Sequence, residues 1–471
     1  MPLNRLMNRL PWKYRDLIFL LGGIGIVGHT FLNNMLLVRY RFLYFFAISC
    51  VFMGMMILGG MGTEIKPVRF HKFLSICWFG VGLLMLLSGI RNNMDYLPEA
   101  VLILAAYPVL FICWSNGDRV RIFRLLATLC RISGWMFAIA SFLLAQIVPV
   151  RYAGIFFNTN ATAYFLAVAF AGTVLHILYT PLSWKMAPDF LLTGILTALN
   201  YYTNSRTGTL GMICACAVGL GLYALTHSWK QTAKCLPKLA ACAVAMSICA
   251  SGLAYVFQLR IYLPLPYLDL TTGTFYYMAP PQKEEKPDQP TTIPGESEGT
   301  GEGTGESEPG TSDSTTPTFF DTHEFDDMNE LKTGFGDKTL DQYSTGRLSI
   351  WKAYASNLNL SGHASTNIVY VDLLYRDIRS THMTILQVAY ESGILAGILY
   401  LLFNLGTGVL SILYALKHPK EPYAVMPVTF TVVFAILSLL GSCAVSFWYM
   451  ATFYYYVVQF PIFSRLQEEN R

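Results

Sequence analysis

Runs of about twenty apolar residues recur along the chain and constrain its fold more than any other feature. Charged residues make up only 13% of the 471 residues, and hydrophobic residues make up 54%. A soluble protein has about 25% charged residues. The sequence therefore predicts an integral membrane protein of the all-α class that crosses the bilayer many times.

The runs predict about twelve transmembrane helices, an even number that leaves both termini on one side of the membrane. The run that follows the basic segment 1–16 is long enough to remain as the first span, so no cleavable signal peptide is predicted. The predicted spans are residues 17–37, 43–62, 73–90, 98–115, 132–150, 161–179, 188–203, 208–226, 239–257, 388–416, 425–442 and 445–463.

One long hydrophilic stretch, residues 258–383, separates the ninth and tenth predicted helices. It divides the chain into nine helices within residues 1–257, the loop itself, and three helices with a cytoplasmic tail within residues 384–471. Inside the loop, residues 282–318 are rich in Gly, Glu, Ser, Thr and Pro and contain no aromatic residue. Such a composition cannot bury enough apolar surface to order the chain, so this part is predicted to be a disordered insertion.

The end of the loop, residues 340–383, is predicted to be ordered and helical. Ser344 is a suitable N-cap, and the apolar positions 348, 351, 354, 355 and 358 have the spacing of one helical face. This face is expected to lie against the membrane surface or the helix bundle.

The distribution of basic residues predicts the orientation. With a cytoplasmic N-terminus, nineteen basic residues fall on the inner side and five in the short outer loops. By the positive-inside rule, both termini are then cytoplasmic and the long loop faces outward. The inner residues are Arg5, Arg9, Lys13, Arg15, Lys66, Arg69, Lys72, Arg119, Arg121, Arg124, Arg131, Lys185, Lys230, Lys234, Lys238, Lys417, Lys420, Arg465 and Arg471, and the outer ones are Arg39, Arg41, Arg91, Arg151 and Arg206.

Charged side chains at the outer helix ends are the first candidates for function, because a charge near the bilayer is costly. All except Glu391 are basic or can become so, and arginine holds phosphate oxygens with paired hydrogen bonds. An anionic ligand, best a phosphate or diphosphate, is therefore predicted at the outer interface. Structural roles are also compatible with these positions: Arg206 could be an interfacial anchor, and Glu391 could form an ion pair with an arginine. His176, inside a predicted span, is expected to bond a neighbouring helix. The outer group is Arg151, Arg206, Arg347, His363, Arg376, Arg379, His382 and Glu391.

Motifs of several other chemistries are absent from the sequence. It contains no Asp-x-Asp, no P-loop, no G-x-G-x-x-G after a strand, and no Ser-His-Asp or zinc-ligand spacing. No metal, cofactor or nucleic acid is therefore predicted. A transferase of this sequence would use cationic side chains to stabilise its leaving group.

Four motifs, in this order, resemble those of the O-antigen ligase and polysaccharide polymerase family. The resemblance covers roughly residues 140–460, and Met383 stands where the family usually has Asn. The motifs are Gly154 with Asn158-Thr159-Asn160, then Ser205-Arg206-Thr207-Gly208, then Gly346-Arg347 with Trp351 and Gly362, and finally His382 followed by Gly393 and Gly397.

The resemblance implies a glycosyltransferase of the bacterial cytoplasmic membrane that acts on the extracytoplasmic side. It would transfer a glycan from a polyprenyl-diphosphate carrier to an acceptor sugar hydroxyl, as a polymerase or a ligase, with inversion and without a metal. His382 would be the general base, and Arg206 and Arg347 would stabilise the diphosphate. Its partners would be the lipid-linked donor, a glycan or lipid-glycan acceptor and membrane lipids. The expected substrate-binding residues are Arg151, Asn158, Asn160, Arg376, Arg379 and Glu391.

Two other classes remain open. A transporter or exporter of an anionic substrate would bind and move it without covalent chemistry, typically with broken helices near mid-bilayer. A peptidoglycan-type or metal-using glycosyltransferase would share the multi-span architecture. The metal-using class is expected to have acidic residues in the first outer loop, which here reads Val38-Arg39-Tyr40-Arg41.

Overall fold

The computed structural model describes most of the predicted spans and the last part of the predicted loop. All described residues belong to one compact unit formed by Met1–Met278 and Gly346–Arg471. The predicted insertion 282–318 lies outside the described residues. The structure describes residues 11–36, 42–62, 71–92, 97–115, 117–145, 151–156, 158–262, 266–269, 274–277, 346–364, 367–371, 376–378, 380–443 and 450–463.

Most of these residues are helical. The first half of the chain contains α1 (Trp12–Leu36), α2 (Phe42–Gly60), α3 (Lys72–Arg91), α4 (Leu97–Val101), a π-helical turn (Leu102–Ala106), α5 (Tyr107–Ser115), α6 (Arg119–Leu144), α7 (Thr159–Tyr179), α8 (Ala187–Thr203), α9 (Arg206–Thr226), α10 (Trp229–Ala233) and α11 (Leu236–Tyr262). The second half contains α12 (Arg347–Ser356), α13 (Thr384–Ser392), α14 (Ile394–Lys417), α15 (Met426–Leu439) and α16 (Met450–Gln459). Short 3-10 turns lie at Gly154–Phe156 and Trp184–Met186.

Two small antiparallel hairpins accompany the helices. Strands β1 (Pro266–Asp269) and β2 (Thr274–Tyr277) form one, and β3 (Val369–Val371) and β4 (Arg376–Ile378) form the other. The chain is therefore mostly, but not purely, α-helical. Residues 340–383, predicted to be helical, contain both α12 and the second hairpin.

Among the residues that the structure describes, seven helical segments are long and apolar enough to cross a membrane. They are α1, α3, α6, α7, α9, the pair α10–α11, and α14. Shorter apolar helices lie at Ala47–Gly60, Glu99–Ser115 and Met426–Leu439. These helices indicate that the chain is a membrane protein. The number of twelve spans stays a prediction.

The centre of the bundle is α7. Its apolar stretch is 89% buried, compared with 11% for the segment that contains α11. Helices α6, α8, α9, α15 and α16 all pack against α7. Its neighbours hold both ends of α7 in place, and two of the predicted site residues, Asn158 and Asn160, lie where it begins.

Several predicted boundaries were wrong. Helix α6 begins at Arg119, well before residue 132, because Asp118 caps it by accepting a hydrogen bond from the Arg121 backbone at 3.1 Å. Arg119 and Arg121, which were counted outside the predicted spans, are buried and form ion pairs inside the helix bundle. Helix α11 continues to Tyr262, beyond the predicted end of the ninth span at residue 257. The predicted span 388–416 is divided into α13 and α14 at Gly393.

The buried face of α12 also differs from the predicted one. Ile350 and Tyr354 are buried with Val369, Val371 and Ile378 of the second hairpin. By contrast, Leu348 and Ala355, which were assigned to the apolar face, are exposed. The hairpin, which the sequence analysis did not predict, supplies the surface that α12 packs on. The N-cap is Gly346, in a left-handed conformation, and Ser344 lies outside the described residues.

Ion pairs fasten the bundle at the end where α7 finishes and α8 begins, here called the Asp189 end. Arg131 donates through Nε to Asp189 at 2.6 Å, and Arg119 pairs with Glu421 at 2.9 Å. His176 lies 3.3 Å from the Tyr423 hydroxyl and 3.8 Å from Asp189, which confirms the prediction that it bonds neighbouring helices. Burial raises the pKa of the Tyr423 phenol, which lies in the connection before α15.

Candidate functional site

The opposite end of the bundle, where α7 and α9 begin, is here called the Asn158 end. Asn158 is the N-cap of α7, and its Oδ1 accepts hydrogen bonds from the backbone of Asn160 at 2.9 Å and Ala161 at 3.2 Å. A capping oxygen satisfies backbone N–H groups that the helix leaves unpaired. This oxygen of Asn158, predicted to bind substrate, therefore has a structural task in the described structure.

Asn160 ties α7 to the turn between α8 and α9. Its Oδ1 accepts a hydrogen bond from the Ser205 hydroxyl at 3.3 Å. Ser205 is in turn the N-cap of α9 and accepts from the Gly208 backbone at 3.3 Å. Asn204, just before it, has a left-handed backbone with φ 53°. The two predicted motifs around Asn160 and Arg206 are therefore in direct contact.

Arg206 is the first residue of α9, and its side chain is exposed at the Asn158 end. No residue that the structure describes forms a hydrogen bond or ion pair with its guanidinium group. A cation at a helix N-terminus is unfavourable because the helix dipole is positive there. The position gives Arg206 no stabilising role in the described part of the fold and leaves it available to an anion.

Arg151 lies close to the same turn. The backbone N–H of the next residue, Tyr152, donates to the carbonyl of Tyr202 in the last turn of α8 at 2.9 Å. Arg151 is exposed and has a left-handed backbone with φ 62°. The fold thus brings the segment that carries Arg151 to the end of the helix that precedes Arg206.

His382 lies in a tightly bonded turn before α13. Its backbone is left-handed, with φ 50°, and its N–H donates to the Ser380 hydroxyl at 3.3 Å. The hydroxyl of Thr381 donates to the Met383 carbonyl at 2.8 Å. The indole N–H of Trp351 in α12 donates to the Thr381 carbonyl at 3.0 Å. The third motif, at Arg347 and Trp351, therefore contacts the fourth, at His382.

Arg347 begins α12 and is half-buried. Trp351, one turn later, contacts the His382 turn, and Tyr354 donates through its hydroxyl to the Ile378 carbonyl at 2.9 Å. Among the described residues, no hydrogen-bond or ion-pair partner of the Arg347 guanidinium is found. Helix α12 thus presents a second cation from a helix fixed against the turn that carries His382.

Contacts through α7 connect the Arg206 turn with the His382 turn. On one side, a Cβ at Gly208 would lie 2.6 Å from the Cβ of Ala163 in α7. On the other, the hydroxyl of the next residue, Tyr164, touches Gly441 after α15. The Thr384 hydroxyl at the start of α13 donates to the Gly441 carbonyl at 3.1 Å. The two turns therefore lie at the same end of the bundle, on either side of the first turns of α7.

Glu391 lies near the end of α13, where its side chain and its backbone both accept hydrogen bonds. Its Oε1 accepts a hydrogen bond from Gln387 Nε2 at 2.6 Å, and its carbonyl accepts from the Ser88 hydroxyl at 2.6 Å. The sequence analysis assigned Glu391 to substrate binding and did not single out Gln387. A polar amide directly before the predicted span 388–416 was the signal that could have identified it.

The two glycines of the fourth motif have structural roles. Gly393, between α13 and α14, has φ 94° and ψ 152°, a conformation open almost exclusively to glycine. Gly397 lies so close to Ala389 that a side chain there would overlap it. The motif therefore describes a helix that is broken and folded back on itself just after His382.

The remaining two predicted site residues are less informative. Arg376 is part of β4, where it pairs with Val371 of β3. Arg379 lies outside the described residues. Ile378, the last residue of β4, is buried under α12, so the strand that contains Arg376 ends shortly before the His382 turn.

Left-handed backbone is concentrated at the Asn158 end. Of the four non-glycine residues with positive φ among those described, Arg151, Asn204 and His382 lie there, and Tyr423 lies at the Asp189 end. Such conformations cost of order 1–3 kcal/mol each and gather at functional sites. The strain falls on, or directly beside, the residues that the motifs indicate.

In the described part of the chain, neither a group of metal-binding side chains nor the apolar cavity lies at this site. The part of the chain that the structure describes contains no group of three His, Cys, Asp or Glu side chains that could hold a metal ion. A small apolar cavity of about 30 Å³ is lined by aromatic residues such as Trp78, Tyr107 and Phe460. No candidate site residue lines it, so it is not the site that the motifs indicate.

Comparison with known proteins does not assign the chain to a family. No family profile, no curated protein and no solved structure matches it. The resemblance therefore depends on the four motifs and on the contacts that bring them together.

Proposed function

We propose that this protein is a glycosyltransferase of the bacterial cytoplasmic membrane, with about twelve spans, cytoplasmic termini and its active site on the extracytoplasmic face. It transfers a glycan from a polyprenyl-diphosphate carrier to an acceptor sugar hydroxyl, as a repeat-unit polymerase or a glycan ligase. The observation that carries the proposal is the convergence of the motifs. The turn of Arg206, the helix of Arg347 and the strained turn of His382 meet at one end of the bundle.

In the proposed reaction, the histidine and the two arginines have different roles. The acceptor oxygen attacks the anomeric carbon while the bond from that carbon to the diphosphate oxygen breaks, which inverts the configuration. His382 takes the proton of the acceptor hydroxyl, since an imidazole titrates near neutral pH. Arg206 and Arg347 hold the diphosphate, whose negative charge increases as it leaves, with charge-assisted hydrogen bonds. Their exposed and half-buried positions let a lipid headgroup reach them.

A transfer assay with purified protein tests this proposal. The protein in liposomes receives undecaprenyl-diphosphate-linked oligosaccharides of defined sugar composition, and mass spectrometry follows the glycan and the released diphosphate. Wild-type protein should extend or transfer the glycan, and His382→Ala should not. His71→Ala is the matched control, because His71 caps α3 in the helix bundle and is not part of the site.

Two outcomes contradict the proposal. Full turnover by His382→Ala means that the histidine is not the base. Donor that crosses the bilayer chemically unchanged, without any transfer to an acceptor, identifies a transporter instead.

A further inference from the structure

The backbone just before His382 is held on both of its polar groups by side chains from two helices. Thr381 is fully buried. Its N–H donates to Oε1 of Gln387 in α13 at 2.9 Å, and its carbonyl accepts from Trp351 in α12 at 3.0 Å. The peptide groups on the two sides of the Thr381 Cα, the second of which leads into His382, therefore cannot rotate without breaking one of these hydrogen bonds.

The orientation of the Gln387 amide follows from the chemistry of its partners. A carboxylate accepts hydrogen bonds and cannot donate them when ionised. Glu391 Oε1, at 2.6 Å, must therefore face the NH₂ group of Gln387. The amide oxygen then faces the N–H of Thr381, which is the bond observed. Glu391 thus determines which end of the amide supports the His382 turn.

This support acts where the backbone is strained. His382 has a left-handed φ of 50°, a conformation that is uncommon for any residue other than glycine. Gln387 is 8% exposed and part of a packed helix, so it gives the turn a fixed point. We propose that Gln387, oriented by Glu391, is the positioning residue that aims the His382 imidazole at the acceptor hydroxyl. This inference deepens the proposed function and depends on it for its kinetic tests.

The first experiment separates positioning from binding. Gln387→Met keeps the chain length and removes both hydrogen bonds. A reacting group misplaced by about 1 Å can lose about a hundredfold in rate, so kcat should fall by about this factor while KM for the lipid-linked donor stays near wild type. The pH at which activity falls on the acid side should not move, because His382 still accepts the proton.

Gln459→Met is the matched control, since Gln459 is a second buried amide, 1% exposed, that bonds Ser411 and Pro427 away from the site. The Gln459→Met variant should have a lower unfolding temperature. Its kcat, measured at a temperature where it is folded, should stay near that of the wild type. The kcat of Gln387→Met is measured in an assay in which the wild type is active and His382→Ala is inactive. A wild-type kcat in Gln387→Met then overturns the inference and leaves the proposed function intact. A wild type without transfer activity overturns the proposed function instead.

Exchange of the two side chains gives a sharper test. Gln387→Glu places two carboxylates 2.6 Å apart and should lose activity, and Glu391→Gln should lose the fixed orientation of the amide. In the double variant Gln387→Glu/Glu391→Gln, the new amide at 391 donates to the new carboxylate at 387, whose other oxygen accepts from Thr381. The double variant should recover most of the kcat lost in Gln387→Glu. A double variant as slow as the single one overturns the inference.

A chemical probe tests the positioning without the transfer reaction. Diethyl pyrocarbonate modifies neutral imidazoles, and peptide mass spectrometry resolves each histidine. Gln387→Met should change the modification rate of His382 and leave that of His71, the cap of α3, unchanged. Equal rates at His382 in the variant and the wild type overturn the inference whether or not the protein transfers glycans.

Discussion

The hydroxyl of Tyr164, in the first turns of α7, lies against the backbone of Gly441 after α15. Gly441 in turn accepts a hydrogen bond from Thr384, two residues after His382. Because α7 also contacts the Arg206 turn through Ala163 and Gly208, Tyr164 lies between the two halves of the candidate site. Its contact with Gly441 determines how far apart they are.

Substitution Gly441→Ala should therefore lower activity. The added Cβ would overlap the Tyr164 hydroxyl, so α7 and the connection after α15 must separate. Forced packing of this kind costs about 1–3 kcal/mol, and the displacement moves His382 relative to Arg206. The transfer assay should show a lower kcat, and thermal unfolding followed by tryptophan fluorescence should show a lower midpoint.

Gly221→Ala is the matched control. A Cβ at Gly221, in α9, meets nothing within 4 Å, and alanine is favoured over glycine in a helix by about 1 kcal/mol. This variant should keep its activity, and its unfolding temperature should not fall. If Gly441→Ala retains wild-type kcat, the distance between the two turns does not govern the reaction.

The second prediction separates charge from shape at the two arginines. Arg206→Lys and Arg347→Lys keep the charge but lose the planar fork that binds two phosphate oxygens at once. Each should lose most transfer activity without a change in unfolding temperature, because no described residue pairs with either guanidinium. Arg91→Lys, at the exposed end of α3, is the control. Wild-type glycan yield in both site variants would rule out bidentate binding of the diphosphate.

The sequence predicted the helices better than it predicted their connections. Apolar runs identify helices such as α7 and α14 because burial and lipid contact both demand apolar residues. The start of α6 was missed because Arg119 and Arg121 resemble loop residues until their partners Glu421 and Asp16, far away in sequence, are known. Pairing over such distances leaves no local pattern.

For the site, the sequence predicted motifs that the fold brings to one end of the bundle, and their roles stay predictions. The motifs at Asn160 and Arg206 contact each other, as do those at Trp351 and His382, and α7 links the two pairs. However, the Oδ1 of Asn158 caps a helix, and Glu391 bonds Gln387. Residue type at a given spacing does not distinguish a capping amide from one that binds substrate, because both need the same donor and acceptor atoms.

The third prediction concerns the break between α13 and α14. Gly393→Ala places a side chain where φ is 94° and against the Leu360 carbonyl. Strain of this kind costs of order 1–3 kcal/mol, so the unfolding temperature should fall clearly. Gly252→Ala in α11, where a Cβ meets nothing within 4 Å, should not lower it. Equal unfolding temperatures of the two variants would mean that the break at Gly393 does not require glycine.

The last prediction separates stability from catalysis at the Asp189 end. Asp189 is 2% exposed and pairs with Arg131 at 2.6 Å. Removal of one partner of a buried pair costs about 3–5 kcal/mol, whereas a pair of apolar residues of similar volume is often neutral. Because the Arg131 side chain remains 25% exposed, its charge can reach solvent, and the loss in Asp189→Asn should be near the lower limit of this range.

The double variant Arg131→Met/Asp189→Leu should recover much of the stability lost in Asp189→Asn, as measured by thermal unfolding in detergent. At a temperature where all variants are folded, kcat should equal that of the wild type, since this end of α7 is opposite to Arg206 and His382. An Asp189→Asn variant that unfolds at the wild-type temperature but loses kcat would instead place a part of the reaction at the Asp189 end. The proposal that the transfer reaction is confined to the Asn158 end would then be wrong.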